Sequence, residues 1–427
     1  MKKRSSMQCN ESPRSKAWYA WLAAAAFYLY EYFVRVAPSV MEADLRQTFH
    51  ANATVLGFAT GLYYIVYGPM QIIVGPLFDR FGARRLLLLA AAAITMGCFC
   101  AACPLGNIVP FAIGRLLMGL GSSFAFIGTV YVATLWFSPT RLAFLSGLTT
   151  ALGMSGAILG QAPIARMVQW VNWRNTWLTA GLLGMLFLLT MHMFLPKESA
   201  RKRSNSLPFF LGGLWIILRN PQTWIIGFVA CFLFMPLVVF ADFWGIHYVE
   251  MVTNVTKPQA ALINGMLYAG WLLGSPFLGA LSDRLRHRRW FFIISCGGGM
   301  VLLLAILIPS HFSPITLATL LFLLGIASSP QVICFIANVE LNSPHLKATA
   351  MAIINTIVML FGGFAQPLCG LIMDMQRWIF PNSGNVYTPQ HYRIALMVLP
   401  ITMAIGLFLA FFIRESFGYE KENNGDA

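Results

Sequence analysis

The sequence predicts an all-α membrane protein with twelve transmembrane helices in two six-helix halves and both termini in the cytoplasm. Three observations lead to this fold class: an apolar composition, apolar runs of membrane-spanning length, and an internal repeat. Of the 427 residues, 58% are hydrophobic and only 10% are charged. A soluble protein of this size would need more charge on its surface. Runs of about 20 apolar residues are long enough to cross a bilayer as helices.

The predicted spans are separated by polar loops. They run at 17–40, 54–77, 86–104, 108–135, 141–165, 176–195, 222–248, 259–281, 290–308, 315–338, 347–372 and 392–413. The longest polar break, LPKESARKRSNSLPFF, separates six spans from six. The predicted organisation is therefore an N-terminal tail, a first half, a linker, a second half and a C-terminal tail, at 1–16, 17–195, 196–221, 222–413 and 414–427.

The net charge is +14, and the basic residues are concentrated on one side of the predicted membrane spans without forming a single basic patch. Most lysines and arginines lie in the tails, the linker and the loops on the same side, which is the bias that orients multi-pass membrane proteins. The charge therefore gives no support to a nucleic-acid partner. It predicts a multi-pass protein of the cell inner (cytoplasmic) membrane, whose partner surface is the lipid bilayer.

The reactive side chains indicate neither metal binding nor catalysis. Most of the eight cysteines lie inside predicted spans, where a cysteine is usually a small packing residue. They show no metal-ligand spacing, so we expect no disulfide, metal or cofactor. The sequence also shows no nucleophile–base constellation and no glycine-rich phosphate loop. We therefore expect a protein that is not an enzyme.

The stretch Gly61–Arg85 is repeated at Gly265–Arg289. The two stretches read GLYYIVYGPMQIIVGPLFDRFGARR and GMLYAGWLLGSPFLGALSDRLRHRR. At a constant offset they share Gly61 with Gly265, Tyr64 with Tyr268, Gly75 with Gly279, Asp79 with Asp283, Arg80 with Arg284, Arg84 with Arg288 and Arg85 with Arg289. A repeat of this length indicates two halves of common origin. Two parallel halves are the plan of transporters that rock about a site near the membrane midplane.

Two motifs carry a resemblance to a known family. GPLFDRFGARR resembles the G-x-L-x-D-R-x-G-x-R-R loop between the second and third helices of the major facilitator superfamily. GRLLMGLG, at Gly114–Gly121, resembles the fourth-helix R-x-x-x-G-x-G motif of that family. GALSDRLRHRR is a degraded second copy of the loop, with Arg286 where the first copy has Gly82. The resemblance covers essentially the whole chain.

The loop motif predicts a gate. Gly75 and Gly82 allow a close helix approach and a tight turn. Asp79 can face the positive N-terminal end of a helix in the other half, and such a contact must break when the halves separate there. The predicted gating residues are Gly75, Asp79, Arg80, Gly82, Arg84, Arg85, Asp283 and Arg284. The alternative is that the arginines only enforce topology.

Charged residues in the first predicted helix indicate a functional site. In YLYEYFVRVAPS, one helix face carries Tyr28, Glu31, Tyr32 and Arg35 at i, i+3, i+4 and i+7. A charge at membrane depth costs on the order of 3 kcal/mol, so it needs a partner and a cavity. Glu31 and Arg35 can pair with each other. The alternative is an ion pair that reaches the membrane interface and only supports the fold.

Further polar side chains recur at helical spacing in other predicted spans. Those predicted to join the substrate or proton site are Tyr63, Tyr67, Arg115, Asp242, Asn264, Tyr268, Trp271, Asn355 and Gln366. Most such residues taken singly make hydrogen bonds between helices. On helices that line the cavity of the resembled family, they would form a mixed polar and aromatic pocket. The resemblance implies proton coupling for Arg115, and the choice between Glu31 and Asp242 as proton carrier stays open.

The resemblance implies a secondary active transporter that works by alternating access and binds a small-molecule substrate. We expect a monomer that imports a small polar solute, such as an amino acid or dipeptide, together with protons. YEYFVRVAPSVM resembles the start of the phagosomal nutrient transporters of intracellular bacteria. The fifth helix lacks the G-x-x-x-G-P-x-x-G-G pattern of drug/proton antiporters, which favours uptake. An efflux pump for a drug or siderophore and a non-transporting membrane sensor remain alternatives.

Overall fold

The computed structural model describes residues 14–103, 105–195, 207–308, 311–379 and 387–417, and every regular element within these ranges is helical. Most of the predicted N-terminal tail, the first part of the predicted linker and the end of the predicted C-terminal tail lie outside the described residues. Within the described residues, ten helical segments are long and apolar enough to cross a membrane. The prediction of an all-α membrane protein is therefore confirmed.

The described part of the predicted first half contains six helices, followed by one helix of the predicted linker. They are α1 Arg14–Phe49, α2 Ala53–Phe81, α3 Ala83–Ala101, α4 Val109–Ser122, α5 Ala125–Trp136, α6 Pro139–Phe194 and α7 Leu207–Arg219. The predicted second half, as far as the structure describes it, contains nine further α-helices, a π-helical stretch and one 3₁₀ turn. They are α8 Pro221–Met235, the π-helical stretch Pro236–Trp244, α9 Gly245–Thr253, α10 Lys257–Leu285, α11 Arg289–Leu307, α12 Pro314–Ser328, α13 Gln331–Glu340, the 3₁₀ turn Pro344–Leu346, α14 Lys347–Ile379, α15 Pro389–Leu396 and α16 Val398–Ala410.

Two segments account for the difference between ten membrane-crossing segments and the twelve predicted. The predicted spans 141–165 and 176–195 both lie in the single segment Phe144–Phe194. At 51 residues it would measure about 75 Å as one straight helix, far more than a bilayer core. Asn172 interrupts the helix with φ 65° and ψ 168°, and its Oδ1 accepts from the Asn175 amide at 3.0 Å, which caps the following turn. The other segment is α1, whose tyrosines and Glu31 lower its hydropathy.

The two halves meet most closely along α2 and α14. A β-carbon on Gly61 would lie 2.6 Å from the Gly363 carbonyl oxygen, and one on Gly57 would lie 2.8 Å from that of Gln366. Real β-carbons do not approach so closely, so glycine is required at both positions. Small residues of this kind let membrane helices pack backbone to backbone. Further along the pair, the Thr356 hydroxyl donates to the Gly68 carbonyl at 2.9 Å.

Asp374 near the end of α14 ties the two halves together at one end of the bundle. We call this the distal end, where α1 ends and α2 begins; the proximal end carries the α2–α3 turn. The Asp374 carboxylate accepts from the Ala53 amide at 3.2 Å and from the Thr54 amide at 2.9 Å. These are first-turn amides of α2, which have no partner inside their own helix and carry the positive end of its dipole.

Tyr387 completes this distal cluster. Its hydroxyl donates to Asp374 and accepts from the Ala53 amide at 3.1 Å, and the Arg46 guanidinium lies 4.6 Å from its ring centroid. Burial and the hydrogen bond to Asp374 raise the pKa of Tyr387, so the phenol stays a donor at physiological pH. Beside the cluster, Lys257 forms a 3.0 Å salt bridge with Asp44. The distal cluster therefore joins α1 and α2 of the first half to the second half.

Replacing Asp374 with Asn should open the distal end. The amide keeps the size of the carboxylate but loses its charge-assisted bonds to α2, each worth about 1.5–3 kcal/mol. The ratio of distally open to closed molecules should therefore rise about tenfold or more. Spin labels on cysteines introduced at Leu105 and His311, exposed positions after α3 and α11 in a background without native cysteines, would report the separation.

The matched control is Asp44→Asn, which removes a more exposed ion pair at the same end. Exposed pairs are worth only about 0–1 kcal/mol, so this variant should change the distances less than Asp374→Asn. An unchanged distance distribution in Asp374→Asn would contradict the assigned role of the cluster.

Candidate functional site

The polar face of α1 is buried in the centre of the bundle. Glu31 is 1% exposed and Arg35 is 2% exposed, and Arg35 Nε lies 3.5 Å from Glu31 Oε1. Tyr63 of α2 lies between them: its hydroxyl donates to Glu31 and accepts from Arg35 Nε at 3.2 Å. The spacing of the acid and the base along α1 thus produces a buried pair, which a tyrosine of the next helix completes.

Tyrosine rings enclose the Arg35 guanidinium. Its central carbon lies 4.6–5.6 Å from four ring centroids, those of Tyr32, Tyr63, Tyr64 and Tyr67. At these distances each ring attracts the cation. Arg35 donates to the Tyr63 hydroxyl through Nε and also forms a side-chain hydrogen bond with Tyr67. These phenol partners are neutral, and a guanidinium binds an oxyanion more strongly than a neutral acceptor, so an oxyanion could replace them.

Tyr28 and Tyr32 fix the same face of α1 against α6. Their rings lie 5.2 Å apart, edge to face. A β-carbon on Gly153 of α6 would lie 2.5 Å from the Tyr28 ring and 2.9 Å from the Tyr32 ring. Both tyrosines are buried, so they pack between helices as well as bordering the charged pair.

Asp242 forms a second charged centre on the π-helical stretch of the second half. It is 5% exposed, and it accepts hydrogen bonds from the hydroxyls of Tyr64 on α2 and Tyr268 on α10. Because Tyr64 comes from the first half, this contact joins the halves at the level of the site. The sequence analysis did not assign Tyr64 to the site. The repeat pairs Tyr64 with Tyr268, a predicted site residue, and this pairing could have indicated that Tyr64 belongs to the site as well.

Amide side chains support the backbone beneath Asp242. Asn264 Nδ2 and Gln161 Nε2 both donate to the Ala241 carbonyl at 2.9 Å, and Gln366 Nε2 donates to the Val238 carbonyl at 2.8 Å. Backbone groups in a membrane interior must find partners within the protein. In this conformation, the predicted site residues Asn264 and Gln366 therefore hold the π-helical stretch in place.

Arg115 of α4 lies beside the same tyrosines. Its guanidinium is 4.6 Å from the Tyr63 ring centroid, and its nitrogens donate to the carbonyls of Thr60 and Val34 at 3.4–3.5 Å. It therefore adds positive charge to the centre and connects α4 to α1 and α2. Trp271 packs on Phe234, with ring centroids 6.3 Å apart, and Asn355 is half-buried. Neither makes a hydrogen bond to the charged groups within the described part of the chain.

The predicted gating residues lie at the proximal end of each half. Asp79 and Arg80 are exposed, whereas Arg84 donates to the carbonyls of His192 and Leu195 at 2.8 Å. Gly82 has φ 77°, which favours glycine at this turn. The expected close approach at Gly75 is absent: no described atom lies within 4 Å of the position of its β-carbon, so α2 has no close backbone neighbour there.

The second copy of the loop makes a different set of contacts. Arg288 donates to Asp283 at 2.6 Å and to Glu340 at 3.1 Å, so Asp283 is engaged within its own half. Arg284 beside it is exposed, and so is Arg286, which adopts φ 56° in place of glycine. Burial alone would lower the pKa of Arg288, but the hydrogen bonds and charges of Glu340 and Asp283 raise it, so Arg288 stays charged. Among the residues that the structure describes, Asp283 thus has a charged partner and Asp79 does not.

The described residues contain no group of three or more His, Cys, Asp or Glu side chains that could hold a metal ion. The arrangement instead places two acids, two arginines and a set of tyrosines at the interface between two helical halves.

A family model described as Major Facilitator Superfamily matches residues 20–367. The chain belongs to this family. The expected superfamily fold is therefore confirmed.

Relatives and solved structures extend along most of the chain. It is 24% identical to the transporter YybO of Bacillus subtilis, over 85% of this chain and 89% of that one. It is 25% identical to the probable nitrate/nitrite transporter NarK2 of Mycobacterium tuberculosis, with 82% and 85% covered. The probable sulfoacetate transporter SauU of Cupriavidus necator is 22% identical, with 61% and 64% covered.

Two solved transporters share the fold. A bacterial homologue of the human lysosomal transporter Spinster, in an inward-facing and unoccupied conformation, gives a TM-score of 0.78 at 15% identity, with 94% of this chain and 98% of that chain covered. A D-xylose–proton symporter gives 0.72 at 16% identity, with the same coverage. These likenesses show that the chain shares the fold of these two proteins.

Replacing Arg35 alone with Gln should destabilise the protein more than replacing both members of the pair. The single change leaves the Glu31 carboxylate buried without its cation, which typically costs about 3–5 kcal/mol. Glu31→Gln combined with Arg35→Gln leaves no stranded charge and should recover most of that loss. Thermal unfolding of the detergent-purified variants measures the order, and a double variant less stable than Arg35→Gln would contradict it.

Proposed function

We propose that this protein is a secondary active transporter that moves a small polar solute bearing an oxyanion, such as an amino acid or another organic acid, by alternating access. The observation that carries the proposal is the buried Arg35 guanidinium, which four tyrosine rings enclose and which pairs with a single carboxylate, that of Glu31. A planar fork in a dry, aromatic site binds carboxylate-like groups well. Two relatives are named as transporters of nitrate/nitrite and of sulfoacetate, which are oxyanions.

The proposed topology has twelve membrane helices and cytoplasmic termini in the inner membrane. The concentration of lysine and arginine in alternate loops supports this orientation. The break at Asn172 supports counting α6 as two spans. With this orientation the distal end is extracytoplasmic, so the conformation tied at the distal cluster faces the cytoplasm. We propose that the protein works as a monomer.

Proton-coupled uptake is the second part of the proposal. Two buried carboxyls, Glu31 and Asp242, lie at the centre on opposite halves, and intramembrane acids of this kind serve as proton relays in transporters. Glu31 beside Arg35 also offers an acceptor for the amino group of a zwitterion. The narrower likeness to phagosomal nutrient transporters stays a prediction within this proposal.

A binding panel on the purified protein tests the substrate class. Thermal unfolding would be measured with small carboxylates, sulfonates, amino acids and dipeptides, and with neutral sugars and nucleosides for comparison. At least one oxyanion-bearing solute should raise the unfolding temperature in a saturable way, since binding stabilises the folded state. The double variant Glu31→Gln, Arg35→Gln should lose the shift, whereas Arg166→Gln, which removes an exposed arginine of α6, should keep it.

The results of this panel separate the alternatives. Stabilisation by neutral solutes alone, retained in the double variant, would overturn the proposed class. In proteoliposomes, the stabilising solute should accumulate along an inward proton gradient and stop doing so when a protonophore is added. Binding without transport would favour the sensor, and movement against the proton gradient would favour the efflux pump.

Asp79→Asn should leave the protein folded but slow its transport cycle, because Asp79 is the proposed partner of a helix N-terminus when the proximal end closes. The matched control is Asp283→Asn, whose effect should be smaller since Asp283 is engaged by Arg288 within its own half. Initial transport rates at equal protein amounts measure both. An Asp79→Asn rate equal to that of the unmodified protein would refute this role.

A further inference from the structure

We infer that Asp242 is the proton-binding carboxyl of this protein, and that its ionised form clasps the two halves together through the Tyr64 hydroxyl. The inference rests on the proposed proton-coupled transport and assigns the coupling group within the same site. The surroundings of the two buried acids, Glu31 and Asp242, decide which of them binds the proton.

The two acids differ in whether a nearby cation balances their negative charge. Glu31 has a cation at 3.5 Å, the guanidinium of Arg35, four residues along the same helix. Asp242 has no basic group within salt-bridge distance among the described residues, and its oxygens accept from two neutral tyrosine hydroxyls. A buried carboxylate without a paired cation is the one whose protonation relieves most electrostatic cost. Asp242 is therefore better suited to exchange a proton during the cycle.

The charged and titratable groups that face Asp242 come from several helices. They are Arg35 and Glu31 on α1, Tyr64 on α2, Arg115 on α4 and Tyr268 on α10. The two arginines favour the ionised carboxylate, and Glu31 opposes it. Because Arg35 is already paired with Glu31, a solute oxyanion that binds Arg35 would add a negative charge close to Asp242. Such a charge favours uptake of a proton by Asp242, which links solute binding to proton binding.

The partners of Asp242 convert its charge into a contact between halves. Tyr64 belongs to α2 of the first half, and Tyr268 belongs to α10 of the same half as Asp242. Tyr64 also lies where α2 and α14 approach each other most closely. A β-carbon on Gly363 of α14 would lie 2.7 Å from the Tyr64 β-carbon. A change in the strength of the Tyr64 bond therefore acts where α2 and α14 separate.

The backbone that carries Asp242 is held firmly. The residue lies in the π-helical stretch Pro236–Trp244, whose carbonyls at Val238 and Ala241 are bonded by amide side chains of α14, α6 and α10. Stretches of π-helix occur frequently at functional sites. With the backbone fixed, gain or loss of a proton changes the hydrogen bonds of the carboxyl more than its position.

The direction of the effect follows from hydrogen-bond chemistry. Ionised Asp242 accepts from both tyrosines, and such charge-assisted bonds are roughly twice as strong as neutral ones. Protonation removes the charge and turns one oxygen into a donor, so one tyrosine must change role or leave. Acidification should therefore loosen the Tyr64 contact and favour separation of the halves at the distal end.

Spin-label distances between cysteines introduced at Leu105 and His311 test this inference without a known substrate. Across a pH series, the unmodified pair should shift towards longer distances as the pH falls. Asp242→Asn should give one distribution, shifted to longer distances, at every pH. Glu31→Gln should keep the pH-dependent shift. Monodisperse elution in detergent would show that each variant is folded.

Two tyrosine variants form a matched pair. Tyr64→Phe and Tyr268→Phe each remove one hydroxyl from the same carboxylate, but only Tyr64→Phe removes a bond between halves. At neutral pH, Tyr64→Phe should raise the distally open fraction several-fold, while Tyr268→Phe should raise it less, because Tyr268→Phe leaves the bond between the halves in place. Equal effects of the two variants would show that the Tyr64 bond does not hold the halves together, and would overturn the inference.

The remaining outcomes separate this inference from the proposed function. If the unmodified protein shows the shift and Asp242→Asn retains it, the assignment to Asp242 fails while proton coupling stands. If Glu31→Gln alone abolishes the shift, the proton-binding group is Glu31 and the inference is overturned. A distance distribution that is independent of pH in the unmodified protein overturns the inference together with the proton coupling on which it rests.

Discussion

The need to compensate charge away from water organises the centre of this protein. Glu31, Arg35, Arg115 and Asp242 are each at most 5% exposed. In a membrane interior a side chain of this kind must find its partners inside the fold. The protein supplies an acid for Arg35, carbonyls for Arg115 and tyrosine hydroxyls for the two acids. Most of these partners come from a different helix, so charge compensation also sets how the helices pack.

Tyrosine is well suited to this task because it offers both a hydroxyl and an apolar, electron-rich ring. Tyr63 uses its hydroxyl between Glu31 and Arg35 and its ring beside Arg115. Tyr64 bonds Asp242 while its ring lies 5.0 Å from that of Tyr63. Two consecutive residues of α2 thus connect the acid of one half to the acid of the other. Side chains that are in contact with one another therefore link the two acids.

The helices α2 and α14 run in opposite directions along the seam between the halves, so the end of each lies near the beginning of the other. At the distal end, Asp374 of α14 binds the first amides of α2, while Asn52 caps the next amide at 2.9 Å. At the proximal end, Asp79 of α2 is exposed and the glycine before it, Gly75, has no close described neighbour. The α2–α14 pair thus carries an acid near each end, Asp374 at the distal end and Asp79 at the proximal end.

The sequence by itself determined the all-helical membrane class, the repeat, the family and the identity of the buried charges, because hydropathy, periodicity and the loop motif are local properties. It also placed Glu31 and Arg35 together, since residues four apart share a helix face. It did not determine that Asn264, Gln161 and Gln366 support a π-helical stretch, or that Tyr64 reaches Asp242. Those contacts join segments far apart in the chain, and only the packing of two halves decides which polar groups meet. The Asp374 cluster depends on the tertiary structure for the same reason: an acid near a helix end shows its partner only when the other half is in place.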